Sequence, residues 1–247
     1  MKRWCLTTCV STALGDRYRE EILPLTEPLF RRYCARWDMD YRPIYVTPEM
    51  AEPYRDGVPA AHGTHVLTAS YPQHQQLLNE YDGVVYFDND AVIMQSEHDI
   101  RAEVSYMQPI GLVPALAIGC WPILSTARSR AFFAAFMALR NEIVNGRPMW
   151  AAQWGEEGVV KRLMGYTWWY HMPDMINSVP VEPTTWTPLL KILDWRWNLP
   201  VWTEILGPYQ AEVETIKDPY VIHPVSISPF ERRREMVRLA AELAMDS

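Results

Sequence analysis

The sequence contains no stretch of about 20 consecutive apolar residues, the length that a helix needs to cross a membrane. Its first residues are basic but are not followed by the apolar run of a signal peptide, so we expect a cytoplasmic protein without a membrane span. Cysteine is scarce. The four residues, Cys5, Cys9, Cys34 and Cys120, include no CxxC pair and lack the spacing of a compact disulfide framework, so we expect all four to be reduced.

Basic residues are in the minority. The 23 lysines and arginines stand against 30 aspartates and glutamates, which gives a formal net charge of −7. This balance argues against a general nucleic-acid-binding protein, because such proteins normally present a basic surface. It leaves room for a small basic pocket that binds phosphates. The 247 residues are 49% hydrophobic, which is enough to bury one sizeable core.

Apolar strand patterns alternate with helical patterns through the first two-thirds of the chain. The predicted strands are residues 4–10, 41–46, 84–87 and 220–222, and the predicted helices are residues 16–37, 71–81, 125–144, 155–164 and 230–244. Residues 48–68 contain Pro, Gly and His without a period, which predicts an ordered loop. The alternation predicts an α/β fold in which helices flank a mainly parallel sheet.

Two aspartates follow the most apolar of these strands. The segment reads Val84-Val85-Tyr86-Phe87-Asp88-Asn89-Asp90, and its four apolar residues predict a strand that is buried on both faces. Carboxylates at such a place are costly unless a cation, hydrogen bonds or a raised pKa compensates them. Strand ends are also where open α/β sheets bind ligands.

A divalent ion is the natural partner of this pair. Mg²⁺ and Mn²⁺ accept one or two carboxylates and complete their shell with water and phosphate oxygens. An extended backbone would point Asp88 and Asp90 to the same side. The alternative is a solvated turn, since Asp-Asn-Asp also favours turns. His223, which follows Tyr220-Val221-Ile222, is a candidate third ligand, and its imidazole suits Mn²⁺ better than Mg²⁺.

Taken in order, these segments resemble the GT-A glycosyltransferases, especially the group of glycogenin and the lipopolysaccharide galactosyltransferases. Leu6-Thr7-Thr8-Cys9-Val10 with Gly15-Asp16-Arg17-Tyr18 is similar to the nucleotide-binding first strand and its loop. Tyr81 to Asp90 is similar to the DxD strand of the family. Trp154-Gly155-Glu156-Glu157 resembles a helix start that usually contains Asp-Gln, and Val221-Ile222-His223-Pro224 resembles the late strand with the metal-binding histidine.

The chain departs from the family pattern at its phosphate contacts. Ser226 stands where a glycine is common, and the lysine that often follows is missing. Of the run Arg232-Arg233-Arg234, any member would replace that lysine only approximately. The local pattern itself favours a solvated helix face, with the arginines paired to Glu231 and Glu235. Residues 73–76 read Gln-His-Gln-Gln where the family often has Lys or Arg.

The resemblance implies one GT-A (Rossmann-like) domain over residues 1–247. Residues 1–115 would bind the nucleotide-sugar, and residues 116–247 would form the acceptor side with the C-terminal helix. UDP-hexose is the expected donor, and Mn²⁺ or Mg²⁺ the cofactor. The acceptor would be a carbohydrate, a protein, a lipid-linked saccharide or another hydroxyl group. The acidic composition argues against a nucleic acid, although a modified base stays among the alternatives.

The resemblance also implies roles for individual residues. The implied set is base or ribose contacts from Thr7, Thr8, Tyr18 and Asp88, metal ligands Asp88, Asp90 and His223, and catalytic residues Glu156 and Glu157 beside the reacting carbon. The late histidine and the acidic helix start resemble the retaining branch of these enzymes. We therefore expect retention without a dedicated base. The alternative is inversion, with Glu156, Glu157 or Asp174 as that base.

The sequence offers two alternative functions. A haloacid dehalogenase-type phosphatase would use Asp88 as nucleophile and Asp90 as general acid. That motif normally opens the chain, and no Gly-Asp-x-x-x-Asp follows the late lysines here. A non-catalytic carbohydrate-binding protein would use the tryptophans that are concentrated between residues 150 and 202, because indole faces stack on sugar rings. It would leave the buried aspartate pair unexplained.

Overall fold

The computed structural model describes residues 3–12, 16–54, 64–113, 119–140, 142–144, 147–148, 156–165, 183–200, 210–224 and 229–246. Every structural statement below concerns these residues. Strands and helices are numbered in chain order.

A six-stranded sheet forms the centre of the described structure. Across the sheet the strands are β11 (Leu190–Ile192), β7 (Ile110–Leu112), β8 (Cys120–Leu124), β5 (Gly83–Phe87), β1 (Trp4–Thr7) and β3 (Asp40–Tyr41). β8 runs antiparallel to both β5 and β7, whereas the other three neighbouring pairs are parallel. The predicted α/β class with a mainly parallel sheet is confirmed.

Smaller sheets extend this framework. They consist of β2 (Cys9–Ser11) with β4 (Ile44–Val46), β6 (Val92–Ile93) with β12 (Leu199–Pro200) and β13 (Val221–His223), and β9 (Ile143–Val144) with β10 (Arg147–Pro148). The strand predicted over residues 4–10 is therefore two strands. The break falls at Thr8, whose carbonyl accepts a hydrogen bond from the Ile44 amide at 2.8 Å, because the chain changes there from one partner strand to another.

The helices cover most of the positions that the apolar period predicts. They are α1 (Leu23–Arg36), α2 (Pro48–Ala51), α3 (Thr64–Glu80), α4 (Ala127–Arg140), α5 (Glu156–Leu163), α6 (Gln210–Val213) and α7 (Phe230–Asp246), and a π-helical turn (Tyr18–Ile22) precedes α1. None of these helices combines the length and the apolar composition that crossing a membrane requires.

The loop predicted over residues 48–68 is wrong where the structure describes that segment. Thr47 caps α2 by accepting a hydrogen bond from the Met50 amide, and Pro48 occupies the first helical turn, where its missing N–H costs nothing. At the other end of the segment, α3 begins at Thr64 and continues through Pro72. The proline content concealed both helices, since proline in a helix interior normally ends it.

Strand β5 is the centre of the core. All five of its residues are buried. Val84 and Tyr86 pack in a cluster with aromatic residues of α4, while Val85 and Phe87 pack in another cluster with Phe30 of α1. Side chains that alternate between two apolar layers explain the uninterrupted apolar sequence. The residues that follow Phe87 therefore lie at the carboxyl end of an inner strand of the sheet.

The cysteines and two of the tryptophans between residues 150 and 202 also belong to the interior. None of the four cysteines forms a disulfide, as expected, and all four are buried. Trp195 and Trp197 are buried members of the core, and Trp186 packs against it. The remaining five tryptophans between residues 150 and 202 lie outside the described residues.

Candidate metal centre

The Asp88-Asn89-Asp90 segment forms a tight turn that is anchored on both sides. The Asp88 carbonyl accepts a hydrogen bond from the Ala91 amide, and the Asp88 amide donates to the Gly119 carbonyl, each at 3.0 Å. The hydroxyl of Thr26, a buried residue of α1, donates to the Asn89 carbonyl at 2.8 Å. The extended backbone expected over these residues is therefore wrong. The solvated turn is also wrong, because Asp90 is only 4% exposed.

The turn leads directly into the strand that brings His223 to the aspartates. β6 pairs antiparallel with β13, with Val92 opposite Ile222, so His223 comes level with Ala91. The His223 Nε2 atom lies 3.1 Å from Asp88 Oδ2 and 3.2 Å from Asp90 Oδ1. One ligand atom from each of the three residues lies within 4.8 Å of the others.

Gly119 provides the space for the His223 ring. A Cβ atom at position 119 would lie 2.6 Å from Cε1 and from Nδ1 of His223, closer than such atoms approach. It would also lie 3.1 Å from Nδ2 of Asn198. The Nδ1 atom of His223 is buried and has no hydrogen-bond partner among the described residues. Glycine thus leaves free the space that the imidazole occupies beside the start of β8.

A buried tyrosine orients one of the carboxylates. The Tyr86 hydroxyl donates to Asp88 Oδ1 at 2.5 Å, which leaves Oδ2 facing His223. The Tyr86 ring lies beside His74, with 5.1 Å between the ring centroids. Burial lowers the pKa of His74 to about 3, so this imidazole is neutral at physiological pH. The hydrogen bond that orients the Asp88 carboxylate therefore comes from a residue of the core, Tyr86.

Helix α7 contributes a cation to the other carboxylate. Arg233 Nη1 lies 3.5 Å from Asp90 Oδ2 and also donates a hydrogen bond to the Tyr18 hydroxyl. The predicted solvated face with pairs to Glu231 and Glu235 is wrong for this residue. Arg232 is exposed, and Arg234 pairs with Glu21 at 2.5 Å. The local sequence does not distinguish the three arginines, because the partners that separate them lie more than 140 positions earlier in the chain.

Opposite charges dominate the centre. Burial lowers the pKa of His223, but the charge of Asp90 and hydrogen bonds to Asp88 and Asp90 outweigh burial and raise this pKa to about 10. Burial raises the pKa of Asp90, but the charges of His223 and Arg233 lower it below its ordinary value. Two carboxylate oxygens and an imidazole nitrogen are a donor set that fits Mn²⁺, and the oxygens alone suit Mg²⁺.

The remaining predicted residues differ in what the structure says of them. Tyr18 lies at the edge of the metal centre and is connected to it through its hydrogen bond with Arg233. Thr7 and Thr8 are fully buried; the Thr7 hydroxyl donates to the Arg42 carbonyl at 2.7 Å, and the Thr8 hydroxyl has no partner among the described residues. The backbone of α5 begins at Glu156, one residue after the start predicted from the sequence. The side chains of Glu156 and Glu157 lie outside the described part of the structure.

Comparisons with known proteins identify the fold. Neither the comparison with protein-family models nor that with curated proteins finds a match. A glycosyltransferase involved in the glycosylation of the major capsid of PBCV-1 is 14% identical over 95% of this chain and 99% of that chain, with a TM-score of 0.55. The apo-form glycosyltransferase GlyE of Streptococcus pneumoniae TIGR4 is 10% identical over 100% of this chain and 63% of that chain, with a TM-score of 0.53. The chain has the GT-A glycosyltransferase fold that its sequence predicts.

Proposed function

We propose that the protein is a metal-dependent glycosyltransferase that moves a sugar from a nucleotide-sugar to a hydroxyl acceptor. The observation that carries this proposal is the convergence of Asp88, Asp90 and His223 at the end of β5, in a fold shared with glycosyltransferases. UDP-hexose is the proposed donor, by the family resemblance. Carbohydrates, proteins, lipid-linked saccharides and other hydroxyl compounds are the proposed classes of acceptor.

Asp88, Asp90 and His223 would hold the cation, and the imidazole favours Mn²⁺ over Mg²⁺. When bound, this ion would neutralise the diphosphate leaving group, a stabilisation that grows as charge develops in the transition state. The protein supplies the geometry. Tyr86 fixes the Asp88 carboxylate, and Gly119 admits the His223 ring. Tyr18, at the edge of the same site, is proposed to contact the base or the ribose, together with Thr7 and Thr8.

We propose that transfer retains the anomeric configuration. In this scheme Glu156 or Glu157, at the start of α5, lies beneath the sugar ring, orients it and stabilises the positive charge of the reacting carbon. The acceptor hydroxyl gives its proton to the departing diphosphate on the same face. Inversion would require a carboxylate base on the acceptor side, and the second glutamate of the pair is the first candidate for that role.

The nucleotide-sugar half (1–115) and the acceptor half (116–247) are proposed to form one domain. Strand β8 supports this arrangement, because it belongs to the second half and pairs with β5 and β7 of the first. The glycosyltransferase fold favours a transferase over a haloacid dehalogenase-type phosphatase. Burial of Trp195 and Trp197 removes two of the aromatic residues that a carbohydrate-binding protein would use. The cytoplasmic location stays a prediction.

Thermal-shift screening of UDP, GDP, CDP and dTDP, each with Mn²⁺ and with EDTA, tests the proposed donor site. A ligand that binds the native state raises its unfolding temperature. We expect one nucleoside diphosphate to do so only with Mn²⁺, and Asp90→Ala to abolish the shift. Asp218→Ala, which removes an exposed aspartate, is the matched control and should keep it. The same shift in EDTA, or no shift with any of the four, would contradict the proposal.

A further inference from the structure

We propose that Arg233 binds the diphosphate of the nucleotide-sugar, with Tyr18 holding its guanidinium in position. This inference rests on the proposed function, because it assigns a ligand to a residue of the same site. The residue comes from α7, and its contact with the centre is visible only in the folded chain. Its role is separate from that of the three metal-ligand candidates, which would hold a cation.

Position distinguishes Arg233 from its two neighbours. Arg232 is exposed, and Arg234 is paired with Glu21 on the protein surface. The Arg233 side chain is 20% exposed, and its Nη1 atom lies 3.5 Å from Asp90 Oδ2. Only the middle arginine of the run therefore directs its charge at the metal centre.

The start of α7 is fastened so that Arg233 keeps this position. The Tyr18 ring packs edge-on against Phe230, with 5.2 Å between centroids, and its hydroxyl accepts the hydrogen bond from Arg233. Arg17 pairs with Glu231 at 2.7 Å, and its Cζ atom lies 3.9 Å from the centroid of the Phe230 ring. These contacts join α7 to the π-helical turn before α1. A guanidinium that is fixed in advance loses less conformational entropy when an anion binds.

The hydrogen-bonding capacity of Arg233 is only partly used. Its Nε atom is buried without a hydrogen-bond partner among the described residues. The 3.5 Å separation from Asp90 is longer than the roughly 2.7–2.9 Å of a charge-assisted hydrogen bond. A buried donor without an acceptor is costly, and a guanidinium offers five donors in a planar fork. Phosphate oxygens match this fork, often through two parallel hydrogen bonds.

The charge of Arg233 would also need an anionic partner once a divalent cation is bound at the metal centre. Asp88 and Asp90 would hold a divalent cation, which would neutralise the two carboxylate charges, so the guanidinium would lose its nearest counter-charge. Phosphate oxygens are the ligands that Mg²⁺ and Mn²⁺ share with arginine. A diphosphate that touches both the cation and Arg233 therefore satisfies both positive groups. A neutral sugar hydroxyl would leave the charge of Arg233 unmatched.

The competing explanation is that Arg233 serves only as a counter-ion for Asp90. The two explanations differ in what Arg233→Met changes. A counter-ion competes with the metal, so its removal would strengthen Mn²⁺ binding and leave nucleotide affinity at saturating Mn²⁺ unchanged. If Arg233 binds phosphate, its removal has the opposite effect. The affinity for the nucleoside diphosphate then falls even when every metal site is filled.

Isothermal titration calorimetry at saturating Mn²⁺ tests the inference. The probes are UDP, GDP, CDP and dTDP, and the nucleoside that corresponds to whichever of them binds. We expect Arg233→Met to weaken the diphosphate by about 10- to 100-fold, the loss typical of a charge-assisted contact. Binding of the bare nucleoside should not weaken, and neither should binding of Mn²⁺, titrated separately into the metal-free protein. Arg232→Met, on the adjacent exposed position, should match the wild type in all three titrations.

The outcomes separate this inference from the proposed function. Wild-type diphosphate affinity in Arg233→Met would overturn the role of Arg233 while leaving a Mn²⁺-dependent nucleotide site in place. A wild-type protein that binds no nucleoside diphosphate with Mn²⁺ would overturn both. Loss of Mn²⁺ binding in Arg233→Met would overturn the inference, since Arg233 would then act through the metal centre. Should Arg233→Met fail to fold, Arg233→Lys keeps the charge without the fork, and undiminished affinity there would overturn it.

Discussion

Gly119 lies so close to His223 that a Cβ atom at position 119 would come within 2.6 Å of the imidazole Cε1. Gly119→Ala should therefore displace the ring and weaken Mn²⁺ binding by about 10-fold or more, as loss of ligand orientation does in other metal sites. It should also lower the free energy of unfolding by about 1–3 kcal/mol through overpacking. Manganese titration followed by electron paramagnetic resonance, with urea unfolding, measures both effects.

The same substitution in a His223→Ala background provides the control. Without the imidazole the added methyl group has space, so Gly119→Ala should cost little additional stability in the double variant. An equal loss of stability in both backgrounds would mean that the glycine serves the fold of β8 and not the histidine.

Tyr86 is predicted to control metal affinity from the core. Tyr86→Phe removes the hydroxyl that donates to Asp88 Oδ1. Because the carboxylate then turns more freely, Mn²⁺ affinity should fall by about 10-fold, the lower end of the usual effect of such partners. Stability should change by about 1 kcal/mol. The measurement is a Mn²⁺ titration of the two proteins, with thermal unfolding as the check on the fold.

Tyr33→Phe is the matched control for Tyr86→Phe. The Tyr33 hydroxyl is also buried; it donates to the His98 carbonyl and accepts from the Ile100 amide, each at 2.9 Å. Its loss should lower stability without changing Mn²⁺ affinity. Unchanged Mn²⁺ affinity in Tyr86→Phe, or equal losses of affinity in the two variants, would exclude an orienting role for Tyr86.

We expect the protein to lose stability in mild acid because of the buried His74 imidazole. Its folded pKa is about 3, while the unfolded value is near 6.5. The unfolded chain therefore binds the extra proton first as the pH falls below about 6.5, and this one site lowers the unfolding free energy by up to about 1.4 kcal/mol per pH unit. Above that pH its contribution is fully present. Urea unfolding at pH 5, 6, 7 and 8 should show a shallower decline below pH 6.5 in His74→Gln. Parallel curves would refute the assignment.

The features predicted from the sequence were those encoded locally. Four apolar residues before Asp88 indicate a strand buried on both faces, and the aspartates at its end indicate a ligand site without further information. His223 was identified through a family resemblance and its place after an apolar segment. The turn geometry between Asp88 and Asp90 was wrong, because hydrogen bonds from Thr26 and to Gly119 set it, and both lie far away in the chain.

Arg233 and Gly119 show why the rest was missed. The local surroundings of Arg233, with Glu231 and Glu235 nearby, favour a solvated helix face, and only the packing of α7 reveals its contact with Asp90. The requirement for glycine at position 119 comes from a ring that β13 carries into contact with it. Neither signal exists within a short window of sequence.

The stereochemical proposal predicts the configuration of the product. An α-linked nucleotide-sugar donor should give an α-linked product, because the diphosphate leaves and accepts the acceptor proton on one face. The anomeric coupling constant in the proton NMR spectrum of the product reports this directly. A β-linked product would refute retention and would make Glu156, Glu157 or Asp174 the candidate base.

Release of nucleoside diphosphate from the nucleotide-sugar in the presence of Mn²⁺, compared between the wild type and Asp90→Ala, tests whether transfer depends on the proposed cation site. Asp90 is buried within 3.2 Å of the His223 imidazole, so its removal dismantles the proposed cation site. Circular dichroism must first show that the variant keeps its fold. We expect Mn²⁺-dependent turnover in the wild type and none above background in Asp90→Ala. Turnover by folded Asp90→Ala at the wild-type rate would exclude Asp90 as a ligand of an essential cation.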